Sequence, residues 1–315
     1  MFDLTTIGEG QIRLTVQSGD RLVTANQLRM TAACSEANVA GLLSELGRET
    51  SWCSKLPKGQ LSRRIMQEFR SVGVDMSNML RAEEGRVALY FMEPGKSPMP
   101  SKVVYDRLHT PFRDLKVDEI NWESMLDTKL IFVTGITAAL TENTAKVVRY
   151  FCDQAHERGI SIALDVNYRS LLWSPEQARE TLEPIAKMSD LLFVSHADSK
   201  IVFDMPEGEG VDVCRAVREK YEVPTVVSTN GTRGVYLSDE QGDESYEVEA
   251  VPIVDRPGAG DSFVAGTIHG YLDGDVRAGV CYGQRVSKYA LTHHGDLTRI
   301  SPSELQIPIT SDIIR

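Results

Sequence analysis

Lys129-Leu130-Ile131-Phe132-Val133-Thr134 is a short β-branched apolar run, and beyond the amphipathic stretch 141–158 comes another, Ile160-Ser161-Ile162-Ala163-Leu164-Asp165-Val166. The amphipathic stretch 175–187 then leads to Leu191 to Val194, and a helical stretch over 211–221 leads to Thr225 to Ser228. Strands and helices that alternate in this way predict an α/β layered domain with a largely parallel central sheet flanked by helices, because parallel neighbours need crossover connections. Helix starts are marked at Ser174-Pro175-Glu176 and Ser301-Pro302-Ser303-Glu304, where a capping hydroxyl precedes Pro at the first helical position.

Upstream the pattern changes. Ile12 to Val16, Arg21 to Val23, Gln27 to Thr31, Arg86 to Met92 and Lys102 to Arg107 read as short strands, with one helix, Glu36 to Leu46, presenting Val39, Leu42, Leu43 and Leu46. They predict a small β-sheet inserted into the α/β core at about 11–33 and 85–108, so that 1–315 form a single domain. With 315 residues, 42% hydrophobic and 25% charged, the chain can bury a sizeable core. Forty-five acidic against 34 basic residues, a net charge of −11, argue against nucleic acid and anionic membrane partners. No run approaches the ~18 apolar residues of a membrane span, and the start Met1-Phe2-Asp3 lacks a signal-peptide pattern, so the expected location is the cytoplasm. Cys34, Cys53, Cys152, Cys214 and Cys281 are scattered and read as buried or idle thiols, and the acidic run Asp239 to Glu249 as a solvated hairpin.

The chemistry concentrates at Asp255-Arg256-Pro257-Gly258-Ala259-Gly260-Asp261-Ser262-Phe263, directly ahead of an apolar helical stretch ending at Leu272. Small residues let an anion approach the backbone, and the free N–H groups and dipole of a helix start attract it. A carboxylate at the same point, Asp261, suits a base that takes the proton from a hydroxyl attacking phosphorus. A tight strand-to-helix turn capped by Asp would leave the same trace. The P-loop, G-x-G-x-x-G, H-E-x-x-H and G-x-S-x-G spacings are absent, so a nucleotide would need some other scaffold.

This loop resembles the C-terminal signature of the ribokinase-like (PfkB) carbohydrate kinases, close to D-T-x-G-A-G-D-x-F. In that family the second Asp is the general base, the Gly-Ala-Gly-Asp amides form an anion hole and the first Asp lies by a monovalent cation. The resemblance implies these roles for Asp261, for Gly258, Ala259 and Gly260, and for Asp255, together with a three-layer ribokinase-like fold carrying a small β-sheet lid. Arg256 and Pro257 depart from the pattern, which usually has small or Thr-like residues there. Ala33-Cys34-Ser35-Glu36-Ala37-Asn38-Val39-Ala40 resembles the family's G-G-x-x-x-N-x-A, which implies that Asn38 binds sugar and that Cys34 stands beside it in place of a glycine. Ser35 or Asn38 capping the helix is the alternative reading.

Arg107 and Arg169 argue for a substrate carboxylate, since a neutral hexose gives no reason for two guanidinium groups. Gly8-Glu9-x-x-x-Arg13-Leu14, Arg86 to Phe91, Val103-Val104-Tyr105-Asp106-Arg107, Asp165 to Pro175 and His294-Gly295-Asp296 resemble the 2-keto-3-deoxygluconate kinases of the family. That likeness implies keto-acid contacts from Tyr90, Tyr105, Arg107, Arg169 and Asp296, and Asn167, two residues before Arg169, is a further candidate substrate residue.

On the nucleotide side, Thr229, Gly231 and Gly234 resemble a phosphate and ribose turn. Ser195 and Asp198 fall where the family places its metal–phosphate residues, and Gly283 where it approaches the adenine; Gly258 and Gly260 would meet the phosphates. The resemblance therefore implies ATP and Mg2+ as cofactors, with Asp198 acting on the metal indirectly, and K+ at Asp255. The partners it implies are a sugar acid, ATP and a second copy of the chain, in a homodimer or higher homo-oligomer through the lid sheet. The expected reaction is phosphorylation of 2-keto-3-deoxygluconate at its terminal hydroxyl, giving 2-keto-3-deoxy-6-phosphogluconate. The alternatives are another sugar kinase, for fructose, ribose or tagatose 6-phosphate, and a non-catalytic sugar-acid sensor on the same scaffold.

Overall fold

Leu130 and Phe132 point to one side of their strand and Ile131 and Val133 to the other, and each pair lies in a different apolar cluster. The same division separates Ala163 from Ile162 and Leu164, and Leu191 and Phe193 from Leu192 and Val194. Strands buried on both faces cannot alternate apolar with polar, which is why these segments read as unbroken apolar runs.

The computed structural model describes residues 1–95 and 98–305. The strands, in chain order, are β1 (Phe2–Ile7), β2 (Gln11–Thr15), β3 (Arg29–Ala33), β4 (Thr50–Cys53), β5 (Lys55–Pro57), β6 (Leu80–Ala82), β7 (Ala88–Glu93) and β8 (Lys102–Asp106). They continue with β9 (Thr128–Thr134), β10 (Ser161–Asp165), β11 (Leu191–Ser195), β12 (Thr225–Thr229), β13 (Val235–Asp239) and β14 (Gly242–Tyr246). The large sheet has the order β14-β13-β12-β11-β10-β9-β1-β4. It is parallel from β4 to β12 and closes with the antiparallel pair β13 and β14, the expected hairpin.

Helices Ser35–Glu45, Ala259–Leu272 and Val276–Leu291 contribute to the apolar cluster on one face, and Glu142–Glu157, Pro175–Ala186 and Gly210–Tyr221 to that on the other. The result is the three-layer α/β architecture. Ser174 caps its helix as its sequence predicts, accepting the Gln177 N–H at 3.3 Å. The Ser301-Pro302 start opens only a short 3-10 turn, Pro302–Leu305.

A separate four-stranded sheet has the order β3-β2-β7-β8. Two expectations need correction here. Arg21 to Val23 form turns, not a strand, with the Thr24 and Ala25 N–H groups bonded back to the Arg21 carbonyl, and Val23 is 90% exposed. The next strand runs Arg29–Ala33, not Gln27 to Thr31, because pairing with β2 sets its register, Ala33 opposite Gln11 and Arg29 opposite Thr15. In the same sheet Thr31, Arg13, Tyr90 and Tyr105 form one row across all four strands.

Candidate active site

Asp165, Ser195 and Thr229 occur at the carboxyl ends of β10, β11 and β12, where ligands bind in open parallel sheets. They border a cavity of about 810 Å³, which Ser35, Gly258, Gly260 and Asp261 at two helix starts and the small sheet also line. Gly258 caps the Ala259–Leu272 helix with φ +85°, and a Cβ there would stand 2.0 Å from the Asp296 carbonyl oxygen, so this position admits only glycine. A Cβ on Gly260 would meet nothing within 4 Å, so that face of the loop is open. The first backbone bond of the helix runs from Ser262 N–H to the Gly258 carbonyl at 2.8 Å, which leaves the Gly260 and Asp261 N–H groups without intrahelical acceptors.

Asp261 stands in that first turn. Its Oδ1 accepts the Ser35 hydroxyl at 2.5 Å and its Oδ2 the Asn38 amide at 2.7 Å. Burial raises its pKa to about 6, and the two hydrogen bonds hold it from going further. Asp165 is raised to about 7 by burial first and then by the charges of Asp261 and Asp198. Asp198 is itself raised by burial, and Ser195 accepts its N–H at 2.9 Å.

The guanidinium groups are placed differently from one another. Arg107 is buried and donates through Nε and Nη2 to the Glu9 Oε2 at 3.1 and 2.7 Å, with Thr110 donating to the other Glu9 oxygen. Arg169 is exposed and lines the cavity, and its guanidinium makes no hydrogen bond or ion pair among the described residues. Tyr90 donates to the Asp296 Oδ2 at 2.6 Å, and burial keeps its phenol protonated. Tyr105 stacks obliquely on Tyr90, ring centroids 5.8 Å apart.

Of the expected substrate residues, Cys34, Asn38, Tyr90 and Tyr105 all line this one cavity, as do Arg107, Asn167, Arg169, Asp261 and Asp296. Gly258, Gly260, Ser195, Asp198 and Thr229 line it too. Ala259, Asp255, Gly231, Gly234 and Gly283 are not among its lining residues. Gly283 is buried where two helices cross, and a Cβ there would stand 2.5 Å from the Phe263 carbonyl oxygen, so its need is packing. The expected K+ place at Asp255 does not fit a cation: the Arg13 guanidinium already bonds its Oδ1 at 2.6 Å, and the Gly295 N–H its Oδ2 at 3.2 Å.

Several groups in the site were not singled out by sequence reasoning. Ser35, read as a helix cap, bonds to Asp261; Glu9 and Asp165 occur inside quoted motifs without being assigned; and Gln11 gave no signal, although its Oε1 is buried, unpartnered among the described residues, in a side chain that lines the cavity. Glu36 is buried and accepts the Thr134 and Thr137 hydroxyls at 2.6 Å each, and the Cys34 thiol at 3.2 Å. Burial, then the Glu36 charge, pushes the Cys34 thiol well up, which makes it inert.

Residues 1–303 match the model of the pfkB family of carbohydrate kinases. The chain belongs to that family. It is 33% identical over 307 residues to the 2-dehydro-3-deoxygalactonokinase of Haloferax volcanii, covering 96% of this chain and 95% of that one. It also resembles the crystal structure of the Thermotoga maritima 2-dehydro-3-deoxygluconokinase, with a TM-score of 0.89, 29% identity and 96% of each chain covered. A Pyrococcus horikoshii sugar kinase solved with ATP shares the fold, with a TM-score of 0.82 and 21% identity over 97% of this chain and 98% of that one. The protein is thus a carbohydrate kinase on the ribokinase-like fold, and no helix among its described residues is long and apolar enough to cross a membrane.

Proposed function

We propose that this kinase transfers the γ-phosphoryl group of ATP to the terminal hydroxyl of a 2-keto-3-deoxy sugar acid, 2-keto-3-deoxygluconate or its galactonate epimer, yielding the 6-phospho acid. The observation that carries the reading is that one cavity holds both a half-buried carboxylate beneath open helix amides, at Asp261, and an arginine whose guanidinium makes no ion pair among the described residues, at Arg169. The names of the Haloferax and Thermotoga relatives, one for each epimer, support the substrate class.

In this reading Asp261, held by Ser35 and Asn38, removes the proton of the terminal hydroxyl. The Gly260 and Asp261 N–H groups donate to the oxygens of the phosphoryl group as it moves, where charge develops. Arg169 and the unbonded Nη1 of Arg107 hold the carboxylate of the acid, Tyr105 packs on its carbon chain, and Gln11 and Asn38 offer free amide oxygens to its hydroxyls. The small sheet, as a lid, excludes water from the reacting groups.

No set of three or more His, Cys, Asp or Glu among the described residues could hold a metal unaided. That suits Mg2+ carried in by the nucleotide, with Asp198 and Asp165, whose charges repel across the site, facing its water ligands. The ion would neutralise charge on the phosphates. The lid's edge strand β8 exposes Val104, which does not line the cavity, and a second copy that paired with this edge would make the proposed homodimer; a monomer mass by light scattering at assay concentration counts against it.

A neutral sugar is the second reading, and one observation favours it: Arg107 already has an anion, Glu9. The test is an ADP-release assay with ATP and Mg2+ on both epimeric keto acids, fructose, ribose and gluconate. Selective turnover of the keto acids is expected. Faster turnover of a neutral sugar transfers the case to the second reading, and ligand-induced thermal stabilisation with no turnover would favour a sensor.

A further inference from the structure

Arg13 is fully buried on β2, in the row that also carries Tyr90, and its guanidinium joins two carboxylates distant in sequence. Nη2 donates to the Asp255 Oδ1 at 2.6 Å and Nη1 to the Asp296 Oδ1 at 2.8 Å. Asp255 precedes the Gly258 turn. Asp296 lies on the other side of that turn, its carbonyl oxygen filling the space where a Gly258 Cβ would be. A further tie, between the Ser262 and Thr298 hydroxyls at 2.8 Å, binds the segment after Asp296 to the helix start that carries Asp261. The remaining bonds fall on the two carboxylates: the Arg256 N–H reaches the Asp255 Oδ1 at 3.0 Å, the Gly295 N–H its Oδ2 at 3.2 Å, and Tyr90 donates to the Asp296 Oδ2 at 2.6 Å, while the Arg13 Nε is buried without a partner among the described residues.

We propose that Arg13 is a built-in cation, standing where the sequence led us to expect a monovalent ion beside Asp255, and that it positions the Asp261 loop by clamping Asp255 to Asp296. Two buried carboxylates flank the turn, and without a cation they would repel each other and strain it. An arginine supplies the charge covalently and in a forked geometry that matches two acceptors at once, so the loop needs no ion from solution. Arg13 does not itself line the cavity and acts through its partners, of which Asp296 does, and this makes it a positioning residue. The proposal rests on Asp261 as the base and not on which sugar is phosphorylated.

Thermal unfolding and ADP release of the full chain in potassium, sodium and choline chloride at one ionic strength test it. Tm is expected to agree within about a degree and kcat within about twofold across the salts, since no specific ion binds the native state. Arg13→Ala is expected to lower kcat about a hundredfold while changing KM for ATP by less than about threefold, the pattern of a displaced base with an intact nucleotide site. Arg13→Lys keeps the charge without the fork; it is expected to recover Tm more than kcat, and it serves alone if the alanine variant does not fold. Potassium activation of the wild type by about tenfold or more, or a Tm rise specific to potassium, overturns the proposal. So does full kcat in a folded Arg13 variant. Identical unfolding in the three salts, with no turnover of any keto acid, supports the built-in cation and counts against the substrate reading, so the two fail separately.

Discussion

The two sides of the cavity are built on opposite plans. Around the small sheet nearly every charge is already paired: Arg107 with Glu9, Arg13 with Asp255 and Asp296, Tyr90 with Asp296. Around the helix start and the strand ends, groups are left open, namely the Gly260 and Asp261 N–H groups and the Arg169 guanidinium, and the acids Asp165 and Asp198 are held by hydrogen bonds but have no cation in an ion pair. Paired charges fix a wall, because each holds the other against rotation and desolvation is already met. Open groups are available to a ligand, and their cost in the empty protein is visible as the raised pKa values of Asp165 and Asp261.

The largest expected effect is on the open side. Asp261→Asn removes the proton acceptor while keeping the shape, and kcat is expected to fall by about 10²–10⁴-fold with little change in Tm. A variant that keeps near-normal turnover would end the assignment of Asp261 as base. Next comes a pair that sets the two plans against each other. Arg107→Ala leaves the buried Glu9 without its cation and is expected to cost about 3–5 kcal/mol of stability in denaturant unfolding. Arg169→Ala breaks no bond within the protein and is expected to leave stability unchanged, yet to raise KM for the keto acid about 10–100-fold, the worth of a charged hydrogen-bond pair. If both variants unfold alike, or both alter only KM, the division into a paired wall and an open site is wrong.

The parallel core was legible in the sequence because Leu130 to Val133 and Ile162 to Leu164 must be apolar on both faces, and no other arrangement needs unbroken runs so regularly spaced by helices. The small sheet was legible in outline only. Arg21 to Val23 has a strand-like composition, but its backbone bonds close locally, and the register of Arg29–Ala33 depends on β2 and not on its own residues. The cavity-lining acids and arginines could be found by motif, whereas their partners could not: Glu9 meets Arg107 across 98 positions and Arg13 meets Asp296 across 283. Both acids stand in quoted stretches, yet nothing in a linear chain tells a substrate-facing arginine from one already bound. Asp255 meets the same limit, since the guanidinium beside it comes from another strand.

The smallest expected effect is a displacement of a pH limb. Burial raises the Asp261 pKa to about 6, above the ordinary carboxylate range, and the proposed base would act only when ionised, so kcat/KM is expected to fall with unit slope as the pH drops through about 6 and to be flat above. Ser35→Ala removes a donor that favours the ionised form, and the limb is expected to move upward by about 0.5–1 pH unit, the equivalent of one net hydrogen bond. Asp165→Asn is expected to leave the limb in place. Beyond burial, the groups that move the Asp261 pKa are Asn38, Ser35, Asp296 and Arg169, and Asp165 is not among them. A limb that follows Asp165 and ignores Ser35 would transfer the proposed role of base from the helix start to the strand end, and with it the proposed division between the groups that do chemistry and those that would face a metal.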